Sequence, residues 1–284
     1  MTSRIVSISA APYDGHPLGR MLDSLAACGA RWVEPAYIVG YTEPFDETAF
    51  TADKARAYAA VLRTSGIGCV AFSSHIDLGR EDAVEVFRGR MDFAKQLGAR
   101  VINTNAAARR NEARFFENIA VLARHAEQLD MQIGLENPGD GSDNLLNTAA
   151  DAPGLLKRIG HPRVALNYDA GNTVSHRSNI IPSHDALRAM PLCLYTHVKD
   201  VRVDAGGYHF TPIGEGDIDC AAILGGIAAT TLDCSIEIPL RLYRGPDAQP
   251  RRAAEPVPLA EIERVIGASL RHVEAFFAAE TSSS

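Results

Sequence analysis

The sequence predicts an α/β fold, a single-domain (β/α)8 TIM barrel occupying residues 1–284, and three observations carry that reading. The chain is long enough, and at 46% apolar residues rich enough, to bury one large core. Roughly eight short β-branched runs alternate with longer amphipathic segments, the count of a closed parallel barrel. The glycine fingerprint that opens a doubly wound nucleotide-binding sheet is missing after the first run, where the chain reads SISAAPYDG.

The units follow in order. RIVSISA leads to LGRMLDSLAACG, ARWVEPAYI to TADKARAYAAVLRTSG, GCVAFSSHI to EDAVEVFRGRMDFAKQLG, and ARVINTNA to NEARFFENIAVLARHAEQLD. Within the longer pieces apolar residues recur at three and four positions, as in Val84, Phe87 and Met91 and in Phe93 to Leu97, which is helical spacing. Gly29, Gly66 and Gly98 close helices, and a strand begins directly afterwards. In the second half MQIGLENP precedes a helix over 148–159, and RVALNYDAG an irregular stretch and a short helix over 184–190. LCLYTHVKD then precedes a helix over 219–229, and LDCSIEIP a last helix over 259–277. Residues 244–258 read as a Pro-rich loop and 279–284 as a frayed tail.

Composition narrows the partners. With 28 Lys+Arg against 35 Asp+Glu, the formal charge of -7 offers no general attraction to nucleic acid or to an anionic membrane surface. The start, MTSRIVSISA, lacks a signal-peptide core, and no apolar run approaches the roughly 20 residues a bilayer needs, so a soluble cytoplasmic protein is expected. Cys28, Cys69, Cys193, Cys220 and Cys234 form no CxxC pair and read as free, buried thiols.

In a barrel the strand C-termini and the loops after them form the working face. Glu34, His75, Asn103, Asn105, Glu136, Asp169, His197 and Glu237 all fall there. Each has a plain explanation: Glu136 neutralising a buried Arg, Asp169 capping the turn DAGN, His197 satisfied in the core, Glu237 paired with Arg241. Together they are harder to dismiss. Three carboxylates converging on a dry mouth repel by several kcal/mol unless protonated or bridged by a cation, and a divalent ion among two Glu, one Asp and one His resolves this.

The motifs GLEN, NYDAGN, HVKD, PIGEGDID and IEI, in that order along the chain, resemble those of the xylose-isomerase-like TIM-barrel superfamily of sugar isomerases, epimerases and inosose dehydratases. The resemblance implies that Glu136, Asp169, His197 and Glu237 bind one divalent metal, and that Glu136 and Glu237 also serve as proton acceptor and donor. Two departures stand out. Ketose 3-epimerases of this group usually carry a histidine where this chain has Asn172, which argues against a free ketohexose 3-epimerase. Endonuclease IV, a distant relative, needs a His-rich set that INTN does not supply.

An oxygen-rich site with one imidazole suits Mn²⁺, Mg²⁺ or Co²⁺ better than Zn²⁺, which stays an alternative. Such an ion, chelated by a carbonyl and its neighbouring hydroxyl, polarises the carbonyl and stabilises the enediolate formed by proton removal. The expected activity is thus an isomerase or epimerase acting on a sugar, sugar acid or cyclitol; the alternative is a lyase, an inosose-type dehydratase or keto sugar acid decarboxylase. A noncatalytic sugar sensor has no need of so costly a group of acids. Substrate-binding candidates are His75, Glu34, Lys199, Arg241 and Glu215, each with a structural alternative: orienting a carboxylate for His75, ion pairing for Glu34 and Arg241. Lys199 shares a direction with His197 only if the strand persists that far. In the Glu215 segment, Asp217 or Asp219 is the natural helix cap. The partner expected is a small-molecule carbohydrate, and self-association stays open.

Overall fold

In a computed structural model of the chain, which describes residues 4–39 and 45–282, a parallel sheet closes on itself inside a ring of helices. Its strands are β1 (Val6–Ser9), β2 (Trp32–Glu34), β3 (Gly68–Cys69), β4 (Ala71–Ser73), β5 (Val101–Asn105), β6 (Gln132–Glu136), β7 (Val164–Asp169) and β8 (Cys193–Val198). After β9 (Asp200–Asp204) and β10 (Gly207–Thr211), β11 (Cys234–Ile236) completes it. The order β3-β2-β1-β11-β8-β7-β6-β5-β4 begins and ends on two strands separated in sequence only by Val70. The third barrel strand is therefore one strand broken in two, and its halves join the first and last members of the sheet. The break has a local cause: the Val70 carbonyl accepts both the Arg100 amide at 2.8 Å and the Val101 amide at 3.1 Å. Gly68 has no room for a side chain, since a Cβ would stand 2.2 Å from the Trp32 ring.

Among the described residues eight α-helices cover the sheet: α1 (Leu18–Ala27), α2 (Ala52–Ser65), α3 (Ala83–Leu97), α4 (Glu112–Gln128), α5 (Ala152–Ile159), α6 (Pro182–Ala189), α7 (Cys220–Ala228) and α8 (Leu259–Ser282). Their inward residues, Phe87 and Met91 on α3 and Phe115 and Leu122 on α4 among them, are fully buried against the strands. Gly66 and Gly98 do end α2 and α3 with φ of 71° and 102°, a left-handed conformation that other residues adopt at a cost.

Several boundaries differ from expectation. Helix α5 begins at Ala152 rather than 148, because the Asp151 carboxylate takes the amides of Asn147 and Thr148 at 2.9 and 3.1 Å and closes a turn first. Helix α8 continues to Ser282, through most of the tail expected to fray from 279, because the helix-favouring pair Ala278 and Ala279 extends it; residues 283–284 lie outside those described. The Pro-rich segment 244–258 is not all loop. Its residues Pro250–Arg252 form β13, antiparallel to β12 (Leu242–Arg244), within a second sheet ordered β13-β12-β10-β9.

That small sheet grows out of the working end of the barrel, since β9 starts two residues after β8. Asp200 anchors the connection. Its buried carboxylate accepts the amides of Val201, Gly214 and Gly216 at 2.9 Å each and of Ile218 at 3.2 Å, folding the segment TPIGEGDID back under itself. A Cβ at Gly216 would lie 2.2 Å from Asp200 Oδ1, so glycine is required there. Asp219 caps α7 by accepting the Ala222 amide at 3.0 Å.

Two predictions follow from these contacts. Asp200→Ala leaves buried amides unmet and should lower unfolding free energy in urea by about 3 kcal/mol or more; a loss below about 1 kcal/mol would show the anchor to be dispensable. All five cysteines are free, and burial pushes the Cys193 and Cys234 thiols up to about 12 and those of Cys69 and Cys220 higher still. At pH 8 the native protein should consume an aromatic disulfide reagent at these four thiols more than about a thousand-fold slower than the denatured chain.

Candidate active site

Strand register places the polar residues. Glu136 and Asp169 end β6 and β7, His197 lies on β8 directly across from Asp169, and Glu237 follows β11 with its amide bonded to the Val198 carbonyl at 3.0 Å. Because side chains alternate along a strand, the residues two positions earlier, Gly134 and Asn167, face the same interior. The four ligand-type side chains converge: each offers an atom within 4.8 Å of the others, and all are at most 5% exposed.

His197 is the centre. Its Nδ1 lies 3.3 Å from Glu136 Oε2, 3.3 Å from Glu237 Oε2 and 3.8 Å from Asp169 Oδ2. Nε2 points the other way, 3.1 Å from both oxygens of Glu34. Glu34 is itself fully buried, accepting Ser73 Oγ and Asn103 Nδ2 at 2.7 Å each. It lies behind the histidine rather than at the mouth, so the structure gives it the ion-pair role and not contact with substrate. A carboxylate on Nε2–H orients the ring so that Nδ1 faces the other acids, the nitrogen that would meet an ion on giving up its proton.

Asparagines build the surroundings. Asn167 Nδ2 donates to Glu136 Oε2 at 2.8 Å, Asn172 Nδ2 to Glu136 Oε1 at 3.0 Å, and Asn137 joins the ends of β6 and β7 through the Asp169 amide and carbonyl at 2.9 and 2.8 Å. Gly134 makes room for this layer: a Cβ there would be 2.3 Å from Asn103 Oδ1 and 3.0 Å from Asn167 Cβ. Asn137 and Asn167 were not among the residues singled out in the sequence, although they sit inside the motifs GLEN and NYDAGN.

Lys199 does turn inward, although β8 ends at Val198. Its ammonium lies 2.7 Å from Asp169 Oδ2 and 2.7 Å from Glu237 Oε2, and donates to Asn172 Oδ1 at 3.1 Å. His75 completes the group, with Nε2 3.2 Å from Glu136 Oε2 and a side chain 17% exposed. Two candidates are not brought in. Arg241 is buried in a separate tie, its guanidinium bonded to Asp14 and to the carbonyls of Ala253 and Ala254 at 3.0 and 2.6 Å. That tie fastens the β12–β13 segment to the loop after β1, so Arg241 is a structural residue and not the expected anion contact at the mouth. Glu215 is exposed, and its charge acts on Arg264 of α8.

The crowding shows in the protonation equilibria. Burial works against charge on Glu136, but the His197 and His75 rings hold its carboxyl down at about 2. Glu237 is likewise held well below its ordinary range, against burial, by Lys199 and His197. Asp169 goes the other way: burial raises it, and despite Lys199 the charges of Glu237 and Glu136 help to bring it to about 6. The Glu34, Glu136 and Glu237 charges overcome burial at His197 and push it well above its usual value.

The donor set fits a divalent ion. Asp169 Oδ1 is taken by the Gly171 and Asn172 amides at 2.8 and 3.3 Å, while buried Oδ2 turns into the cluster, ion-paired with Lys199 at 2.7 Å and 3.8 Å from His197 Nδ1. Asp169 thus caps the turn with one oxygen and offers the other to the cluster. Three carboxylates with one imidazole nitrogen match the preference of Mg²⁺ or Mn²⁺ for oxygen-rich sites.

Comparison with known proteins agrees with this fold. A family model described as a xylose isomerase-like TIM barrel matches residues 22–256. An L-ribulose 3-epimerase structure superposes with a TM-score of 0.71 at 18% identity, covering 99% of this chain and 97% of that one. A xylose isomerase-like TIM barrel protein from Mycobacterium smegmatis, in complex with magnesium, gives 0.73 at 16% identity over 98% of each chain. The probable 3-DHS dehydratase AsbF of petrobactin synthesis from Bacillus anthracis gives 0.68 at 12%, over 96% of this chain and 99% of that one. At such identities the likeness establishes the fold. No curated protein matches the sequence.

Glu34→Gln removes the charge behind His197 while keeping its shape. Divalent-ion affinity, measured by competition with a chelating dye, should fall about 10–100-fold; unchanged affinity would show that Glu34 does not set the ring.

Proposed function

The chain belongs to the xylose isomerase-like TIM barrel family, and from that premise we propose that it is a divalent-metal-dependent isomerase or epimerase of a sugar, sugar acid or cyclitol. One observation carries the reading: Glu136, Asp169, His197 and Glu237 present ligand atoms within 4.8 Å of one another at the mouth of the barrel. These four residues would hold the ion, with Mg²⁺, Mn²⁺ or Co²⁺ suited to them and Zn²⁺ less so. When bound, the ion supplies Lewis-acid polarisation of the substrate carbonyl.

The remaining work belongs to the chain. Glu136 and Glu237 stand on strands three places apart in the sheet, so they reach a bound carbon from different sides. One takes the proton beside the carbonyl; the same group or its opposite returns it, which separates isomerisation from epimerisation. Lys199, among Asp169, Glu237 and Asn172, is placed to donate to an oxygen that gains charge. His75, beside Glu136, is placed to exchange a proton with it or with a substrate hydroxyl. Burial of the cluster keeps bulk water from quenching a carbanion-like species.

A lyase acting through the same proton removal is the second reading. It is favoured by Asn172, whose amide is committed to Glu136 and Lys199 in the place where ketose 3-epimerases carry histidine, and by the dehydratase among the similar structures. We take the protein to work in the cytoplasm on a small carbohydrate.

Deuterium exchange in D₂O decides between them. With a panel of ketoses, keto sugar acids and inososes, an isomerase or epimerase incorporates solvent deuterium with no other mass change, whereas a lyase releases water or carbon dioxide. EDTA should abolish either reaction, and Glu136→Gln should lower kcat by about a thousand-fold. Full turnover in that variant would remove Glu136 from the mechanism.

A further inference from the structure

We propose that a cavity beside the acid cluster binds a second hydroxyl-rich unit, so that the substrate is a glycosylated carbohydrate rather than a free monosaccharide. This rests on the carbohydrate reading above and extends it to the part of the ligand away from the chemistry.

The cavity, of about 540 Å³, lies between the loops that follow β5 and β6. It borders the cluster through Asn105, whose amide donates to the Glu136 backbone carbonyl at 3.4 Å, and through Pro138. Pockets of roughly 300–1,000 Å³ accept whole drug-sized ligands, more than the few atoms that need to meet Glu136 and Glu237. The two loops are fastened to each other. Ala108 and Asn144 form an antiparallel bridge, flanked by the Arg109 amide on the Asp143 carbonyl and the Leu145 amide on the Ala107 carbonyl, each at 2.9 Å. Asp77 braces one wall by accepting the Gly79 amide at 2.8 Å and the Asn111 side chain at 2.9 Å. The space is formed before any ligand arrives.

Its chemistry favours neutral hydroxyls. Arg110 and Asp140 both line it and both are exposed, yet they form no pair with each other, and the Arg110 guanidinium makes no hydrogen bond or ion pair among the described residues. Asp143 is already matched by Arg109 at 2.9 Å. Asn144, 8% exposed, lies in the wall with its Oδ1 unmet by any hydrogen bond. A phosphate or carboxylate drawn to Arg110 would meet the acidic side chains of the same walls. A hydroxyl, by contrast, accepts from a guanidinium while donating to a carboxylate or amide oxygen, and neighbouring hydroxyls on a sugar ring do so in pairs.

Calorimetric titration of the full chain in Mn²⁺ tests this with D-fructose and three disaccharides that carry a hexose on the O4, O5 or O6 of fructose: lactulose, leucrose and palatinose. At least one disaccharide should bind about ten-fold or more tightly than fructose. Arg110→Ala and Asp140→Ala, both at exposed positions that the fold tolerates, should each bring that ratio to within about two-fold of one. Equal affinity for fructose and all three disaccharides, a preference that survives both substitutions, or no binding by any of the four overturns the proposal. A disaccharide preference without any deuterium exchange at carbon would instead sink the isomerase and lyase readings and leave the subsite standing.

Discussion

Four carboxylates, Glu34, Glu136, Asp169 and Glu237, are at most 5% exposed and surround one imidazole. That concentration of like charge is the constraint on which the rest of the site depends. Removing a carboxylate from water is expensive, and its neighbours add repulsion unless cations answer it. Here the answer is distributed. Glu34 lies behind His197, Lys199 bridges Asp169 and Glu237, and His75 faces Glu136. Even so, burial first, and then the charges of Glu237 and Glu136, raise the Asp169 carboxyl to about 6 despite Lys199. A divalent ion among these oxygens would complete the balance.

The barrel contributes precision rather than stability to this group. Buried ion pairs add little to stability compared with apolar packing, so the cluster is held in place by the rest of the fold. The holding is done by neutral donors. Asn103, Asn137, Asn167 and Asn172 each give an amide hydrogen to a carboxylate or to the backbone at a strand end, and Gly134 yields space to Asn103 and Asn167. Neutral amides fix carboxylate rotamers without cancelling the charge that a metal or a substrate proton requires.

Much of this was legible in the sequence, for a definite reason. A parallel barrel repeats strand, loop and helix, and each repeat carries its own signal in apolar spacing and helix-ending glycines such as Gly66 and Gly98. A polar residue at the end of an apolar run then falls at the mouth without further information, which is how Glu136, Asp169, His197 and Glu237 were found together. Properties set by distant partners were not legible. The split at Val70 depends on β5, and β13 exists only by pairing with β12. Arg241 is close to Glu237 in sequence, but its geometry is decided by Asp14, on the far side of the chain. Lys199, a candidate whose direction the sequence left open, turns inward past the hydrogen-bonded end of β8, where Asp169 and Glu237 draw it in.

The same physics bears on whether the protein transforms its ligand or only holds it. Holding a sugar needs only hydroxyl-matching groups, and these can stay exposed and inexpensive. It does not need several acids in one dry place, kept apart in protonation so that Glu136 is down at about 2 while Asp169 is near 6. Buried carboxylates kept charged by His197, His75 and Lys199 are acceptors set beside donors, the juxtaposition proton transfer uses. A module that only bound carbohydrate could exchange the cluster for apolar residues and gain stability by doing so. The gathering of all these acids around one buried imidazole is the physical ground for expecting chemistry at the mouth of this barrel.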